Sequence, residues 1–274
     1  DEYDDVRVRF LDVDPVGAVT TDSLWENVSD KTAIISVMTV NNETGVYQPI
    51  PIVGSVAAGG ATGGALTHTD AVAAAPWLYL PGLTINIDMI SIAAHKLGGP
   101  VNSGALVLRR EIALDAVSPG GGQERGHRGG TVDVAAAVGL AAACQVVERE
   151  RLANNERITE LQGRLEAAFK FLPGLQITAD DATRVPGCTH VTVDGLASEE
   201  MLFLLDHAGI CASAGASCSS GASVVSHVLE AMKVPESRAR GAVRFTMGRE
   251  TTKEDVDYLI ATFADVVYRL RGEK

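Results

Sequence analysis

Several short stretches of this chain group side chains that could do chemistry. Residues 90–108, ISIAAHKLGGPVNSGALVL, run apolar as far as His95-Lys96, turn through Gly98-Gly99-Pro100 and resume as a second apolar run. A buried lysine costs several kcal/mol unless it is paired or neutral. Two readings of Lys96 therefore stand side by side: an ammonium snorkelling out of a strand end, or a desolvated amine of lowered pKa, ready to form a Schiff base. Asn41-Asn42-Glu43-Thr44-Gly45 follows the apolar run that ends at Val40, and His68-Thr69-Asp70-Ala71 follows the run from Ala65. Polar groups where an apolar strand stops are where open α/β folds place their ligands, although an Asp there is also a common turn or cap residue. Pro119–Thr131, PGGGQERGHRGGT, sets glycines, Arg125, Arg128 and Thr131 ahead of a helical stretch. Free backbone N–H groups and the helix dipole there suit an anion such as phosphate. Cys218 lies among small polar residues in ASAGASCSSG, without apolar neighbours to bury it, and reads as an exposed nucleophilic thiol. Arg244, inside the apolar run AVRFTM, needs an anionic partner, either a substrate carboxylate or a structural one.

The elements that must position these residues alternate in the first half of the chain. Val6–Val13, Ala33–Val40, Ala65–Thr69, Asp88–Ala93 and Ser103–Arg109 read as strands, with DSLWENVS and a loosened Gly54–Gly64 stretch as helices. Such alternation implies an α/β fold with a largely parallel sheet. Residues 133–172 read as one long helix that Pro173-Gly174 stops. Beyond it, a strand at His190–Asp194, helices at Ser198–His207 and Ser223–Met232, a strand at Ala242–Met247 and a helix opening near Thr252 with Asp255 in a capping box make a smaller α+β unit.

Composition narrows the function. The 274 residues carry a net charge of −12, which argues against nucleic acid or an anionic membrane as partner. At 46% apolar and 21% charged residues, this is the composition of a globular protein, and no apolar run is long enough to span a bilayer. Cys144, Cys188, Cys211 and Cys218 form no CxxC pair and no zinc-like cluster, so a structural metal is not expected and a reducing cytoplasm is the simplest setting. Cys144, Cys211 and Cys188 read as structural thiols.

In order along the chain, VMTVNNETGVYQPI, HTDAV, SIAAHKLGGP, GGGQERGHRGGT, ASAGASCSSG and VRFTMGRETTKEDVD resemble the motifs of cysteine desulfurases of the NifS/IscS type, within the class V pyridoxal-phosphate (PLP) enzymes. The resemblance implies the PLP-dependent transferase fold type I, aspartate aminotransferase-like. Its mostly parallel large domain would fall in residues 1–150, N-terminally incomplete relative to the family, with a smaller α+β domain in 151–274 carrying the cysteine loop. By resemblance, Lys96 holds PLP as a Schiff base and then moves protons, and Asp70 pairs with the pyridinium nitrogen. Asn42 meets the ring's phenolic oxygen and the substrate, while His95 lies beside the phosphate among the catalytic groups. Thr131 reaches the phosphate of a neighbouring subunit, implying a homodimer with shared sites, and Arg244 grips the substrate carboxylate. The implied reaction turns L-cysteine into L-alanine and leaves a persulfide on Cys218, for a sulfur-acceptor protein in iron–sulfur or thio-cofactor assembly.

Three positions depart from the family pattern: Ala73 stands where it has Gln, Ala93 where it has a phosphate-binding Ser, and Val101-Asn102 where it has Lys-Gly. The first two remove hydrogen bonds to PLP, each worth on the order of 1 kcal/mol. The segment with the family's Gly-Ala-Thr-Glu phosphate loop and its ring-stacking histidine is not in this sequence, so a fragment of a longer enzyme is the expectation. The competing readings are a selenocysteine lyase or aminotransferase of the same class, and a non-catalytic homologue that docks sulfur acceptors.

Overall fold

The computed structural model describes residues 6–60, 62–215 and 225–272. The chain divides into two compact units, one comprising Asp1–Val28, Val40–Pro49 and Leu152–Lys274, the other Ser29–Thr39 and Ile50–Arg151.

The second unit is built on a four-stranded sheet in the order β1 (Ile34–Ser36), β2 (Leu66–Asp70), β3 (Met89–Ala93), β4 (Gly104–Leu108). The first three strands are parallel, and β4 runs antiparallel to β3. The alternation of LTHTD sorts the two faces of β2: Thr67 and Thr69 are buried, while His68 and Asp70 share the other face. Both buried hydroxyls are satisfied, Thr69 Oγ1 lying 2.7 Å from Thr39 Oγ1 and Thr67 Oγ1 donating to Asp88 Oδ2 at 2.8 Å. Helix α2 (Ile50–Ala58) buries Ile50, Val53 and Val56. It approaches so closely at Gly54 that a Cβ there would sit 2.7 Å from the Asn86 Cβ. A short α3 (Leu80–Leu83) precedes β3.

Helix α4 (Val134–Phe169) supplies its residues up to 151 to this unit and the rest to the first. The first unit also contains α1 (Thr21–Asn27), capped by the Thr20 hydroxyl, and an antiparallel sheet β5 (Leu175–Ile177), β6 (Cys188–Val193), β7 (Ala242–Thr246). Helices α5 (Ser198–His207), α6 (His227–Ala231), α7 (Glu236–Ala239) and α8 (Lys253–Arg271) complete it. Phe169, Phe245 and Phe263 form a ring cluster with centroids 5.0–5.5 Å apart in the core of this unit. Thr252 and Asp255 make the expected capping box on α8, and Gly272 ends the helix in the left-handed region.

Some of the expected elements differ. Val6–Val13 is not a strand: only Val13 pairs, in a single bridge to Val19, and Val6, Val8 and Phe10 are 67%, 75% and 89% exposed. The run alternates correctly but meets no neighbouring strand among the described residues, and pairing is what makes a strand. Helix α6 begins at His227, not Ser223, because Ser226 caps it through its hydroxyl; Ser223 itself lies outside the described residues.

Candidate active site

The face of β2 opposite the buried threonines carries a polar row. His68 sits between two serines, its Nδ1 2.8 Å from Ser36 Oγ on β1 and its Nε2 2.9 Å from Ser91 Oγ on β3. Asp70, on the same face, ends β2 opposite Ser91 in register and is exposed. Its Oδ1 accepts from Val72 N at 2.8 Å, which fixes the carboxylate and leaves Oδ2 without a partner among the described residues.

Lys96 follows the next strand. β3 ends at Ala93, and Ala94–Lys96 form a 3-10 turn. Fully buried Ala94 anchors that turn: its N–H donates to Ser103 O at 2.9 Å, and its carbonyl accepts from Leu97 N and Gly99 N at 2.8 and 2.9 Å. Gly99 lets α4 close on the turn, since a Cβ there would stand 3.1 Å from the Cβ atoms of Ala94 and Ala143. Beyond this anchored base both His95 and Lys96 are exposed.

Thr131, Arg125 and Arg128 are also exposed. The long helix opens at Asp133, as the sequence places it, with Asp133 Oδ1 accepting from Ala136 N at 3.0 Å and its carbonyl from Ala137 N, so Thr131 lies just ahead of it. The glycine loop before it is folded on itself: Gly129 N donates to Ser118 O, and a Cβ on Gly129 would lie 2.7 Å from the Gly120 Cα.

The remaining candidates belong to the first unit. Asn41–Gly45 forms a turn in which the Asn41 side chain accepts from Glu43 N and Thr44 N at 2.9 and 3.0 Å. Asn42 is exposed, and its carbonyl accepts from Arg244 Nη1 at 2.7 Å. That neutral partner aims the Arg244 side chain, and no carboxylate pairs with it among the described residues. Arg244 stands opposite His190 across the β6–β7 ladder. His190 is fully buried, bonded through Nδ1 to Thr178 Oγ1 at 2.8 Å, and burial, reinforced by the Arg244 charge, pushes its pKa down to about 4. Cys188 donates from Sγ to Glu43 O at 3.4 Å, and burial pushes its thiol up to about 11, against the smaller pull of Arg244 and Arg184, so it is inert at neutral pH. Cys144 is half-buried, whereas Cys211 is exposed rather than buried at a strand end. Cys218 lies outside the described residues. Ser36, Ser91 and Ser226 were not legible as partners, because each meets its neighbour through strand register or a distant turn rather than through spacing along the chain.

The donor set fits pyridoxal phosphate. Asp70 ends β2 and Lys96 follows β3, its parallel neighbour, so a carboxylate and an amine, the groups that a pyridinium nitrogen and an aldehyde would take, stand at the same end of the sheet. Among the described residues, no group of three or more His, Cys, Asp or Glu side chains could hold a metal ion, and no helix is long and apolar enough to cross a membrane.

Comparison with known proteins agrees. A cysteine desulfurase of Gluconacetobacter diazotrophicus is 38% identical over 97% of this chain, and one of Klebsiella pneumoniae is 36% identical over 97%. This chain spans 66% of the length of each. Among solved structures, a NifS-like protein from Rickettsia africae superposes with a TM-score of 0.84 at 27% identity, covering 93% of this chain and 68% of that one. Another NifS-like protein gives 0.89 at 28% identity, with 98% and 70% covered. The fold is accordingly fold type I, the α/β architecture those proteins share. Residues 1–259 match the family described as aminotransferase class-V, and the chain belongs to that family.

Proposed function

We propose that this protein is a PLP-dependent cysteine desulfurase, taking sulfur from L-cysteine onto Cys218 and releasing L-alanine. The observation that carries the reading is the placement of Asp70 and Lys96 after adjacent parallel strands, one fixed by Val72 N and the other by the Ala94 anchor. Support comes from the desulfurase relatives and from a structure titled SspA in complex with cysteine, 28% identical with a TM-score of 0.75 over 90% of this chain.

Bound PLP supplies an electron sink that acidifies the substrate Cα–H and loosens the Cβ–S bond. The chain's own residues do the rest. Asp70 keeps a proton on the ring nitrogen, and His95 serves the phosphate. Asn42 meets the phenolic oxygen and the substrate, and Arg244 grips the substrate carboxylate through two parallel hydrogen bonds. Lys96 Nζ removes the Cα proton and returns protons to the departing alanine. The Cys218 thiolate attacks the substrate sulfur; the Cβ–S bond breaks, a sulfur–sulfur bond forms, and the carbon skeleton leaves as alanine. One cysteine and one Cys218 thiol thus give one alanine and one persulfide, without an outside oxidant. The reading extends to a cytoplasmic homodimer in which Thr131 serves the partner's phosphate, and to an acceptor protein that takes the sulfur for iron–sulfur or thio-cofactor assembly.

The test is to incubate the protein with PLP and L-cysteine, measure alanine, and map persulfide by mass spectrometry. Equal alanine and Cys218 persulfide, both lost in Lys96→Ala together with the PLP absorption band, are expected. A Lys96-dependent band without Cys218 persulfide would refute the desulfurase assignment.

A further inference from the structure

The Asn41–Gly45 turn contains one side chain for which this chemistry has no use. Glu43 is 1% exposed, and a carboxylate withdrawn from water is costly unless its oxygens accept hydrogen bonds. Its Oε2 accepts from Ser226 Oγ at 2.6 Å. Ser226 is the N-cap of α6, and the same hydroxyl oxygen accepts from Val228 N at 3.1 Å and Leu229 N at 3.5 Å. Glu43 therefore takes the one hydroxyl proton and leaves the Ser226 lone pairs aimed at the helix.

The same carboxylate faces a second segment. Gly215 is buried with φ +73°, and a Cβ built on it would stand 2.8 Å from Glu43 Oε2. Only a residue without a side chain can bring its backbone so close. Just upstream, Ser213 and Arg244 exchange both backbone hydrogen bonds, at 3.1 and 2.7 Å. Glu43 is itself held at its backbone, by Asn41 Oδ1 on its N–H and Cys188 Sγ on its carbonyl. Gly215 and Ser226 flank residues 216–224, the stretch of sequence that contains Cys218.

We infer that Glu43 is a positioning residue whose buried carboxylate fastens the Ser226 stem, and packs against the Gly215 stem, of the segment that carries Cys218. The inference rests on the reading of Cys218 as the sulfur-accepting thiol. A fixed stem sets the point from which the Cys218 thiol reaches the substrate sulfur, and orientation of reacting groups is worth rate. Arg244, in contrast, is aimed by the Asn42 carbonyl and not by the Glu43 carboxylate. Loss of the Glu43 side chain should therefore slow sulfur transfer and leave the grip on the substrate carboxylate in place.

The experiment compares wild type, Glu43→Ala, Glu43→Gln and Ser226→Ala by amide hydrogen exchange and by steady-state kinetics with L-cysteine. In Glu43→Ala, exchange at Val228 and Leu229 should speed up about tenfold while β6 and β7 stay protected. Its kcat should fall at least about tenfold, with KM for L-cysteine within about twofold of wild type. Ser226→Ala should reproduce both effects, and it carries the comparison if Glu43→Ala does not fold. Glu43→Gln, which can still accept from Ser226 through its amide oxygen, should recover most of both. Unchanged exchange at 226–229 in both Glu43→Ala and Ser226→Ala would overturn the inference. So would a loss of protection spread evenly over β6 and β7, which would make Glu43 only a part of the core. A wild-type protein that makes no persulfide sinks the desulfurase reading, whereas the exchange comparison passes or fails without turnover.

Discussion

His68 and His190 each sit on a strand with a hydroxyl partner, yet their surroundings differ. His68 is half-buried, has a serine hydroxyl at each ring nitrogen, and shares its face of β2 with exposed Asp70. His190 is fully buried, has Thr178 at Nδ1, and has no partner for Nε2 among the described residues. The contrast extends to the units they belong to. In the unit of His190 another buried polar pair, Arg184 and Glu166, satisfies itself internally. Around His68 the polar groups end in exposed side chains, Asp70 and Lys96, each on an anchored backbone. Polar residues of the first kind should act through stability, and those of the second through ligand binding.

The sharpest break of that comparison is Glu166→Ala. Arg184 donates to both Glu166 oxygens, at 2.8 and 2.9 Å, and the two side chains are only 9% and 12% exposed. Removing Glu166 takes both close hydrogen bonds from Arg184 and leaves it, among the described residues, only the Asp180 carboxylate at 3.8 Å, at about 3 kcal/mol. Urea unfolding should show that loss; a cost below about 1 kcal/mol would mean the pair behaves as a surface one.

Asp70→Asn probes the other side. Its Oδ1 analogue can still accept from Val72 N, so stability should change by less than about 0.5 kcal/mol. PLP affinity, read by absorbance titration, should drop about 10- to 100-fold, the worth of a charge-assisted hydrogen bond. A large stability loss with PLP affinity intact would erase the distinction between the two regions.

A change of pH gives a smaller effect per unit. The buried His190 ring has its pKa lowered from 6.5 to about 4, so an unfolded chain binds a proton that the folded one refuses within that window. Stability is fully present above pH 6.5 and declines as pH falls towards 4, by about 1.4 kcal/mol per unit at most. Cys188 acts at the alkaline end: its thiol, raised from 9.0 to about 11, costs stability as pH rises between those values. His190→Gln should flatten the acid limb in urea midpoints measured between pH 7 and 5; an unchanged slope would place that proton elsewhere.

Much of the fold was legible because local chemistry agrees with it. Ser198–His207 is the helix that its pattern predicts, and the Thr252–Asp255 box opens α8 where the sequence puts it. The strand-plus-polar-end signals at Asp70 and Lys96 also fall at sheet ends, as expected. What failed depends on partners. VRVRFLDV alternates like a strand but finds no strand to pair with among the described residues, and Ala33–Val40 keeps only Ile34–Ser36 as β1. Val37 and Thr39 still donate to β2 carbonyls, so the direction of the run was right and its regular ladder shorter. Glu43 could not be read at all. Its hydrogen-bond partner lies 183 residues away, and a lone acid in Asn-Asn-Glu-Thr-Gly is indistinguishable from a turn residue until the contact is seen.

The smallest effect is expected at Ala93. It is the last residue of β3, half-buried, and paired in register with Gly104, which places no side chain beside it. A serine hydroxyl therefore has room, and the family pattern uses one there as a donor to the phosphate. Ala93→Ser should add one net hydrogen bond, about 1 kcal/mol, and tighten PLP binding about fivefold. Urea stability should stay within about 0.5 kcal/mol, because the residue ends the strand and its backbone bonds are untouched. Tighter PLP with unchanged stability would extend the ligand-facing region from Asp70 to the end of β3. Unchanged PLP affinity would mean that Ala93 lies outside the phosphate's reach, and that the weak point of cofactor retention is elsewhere, at Ala73.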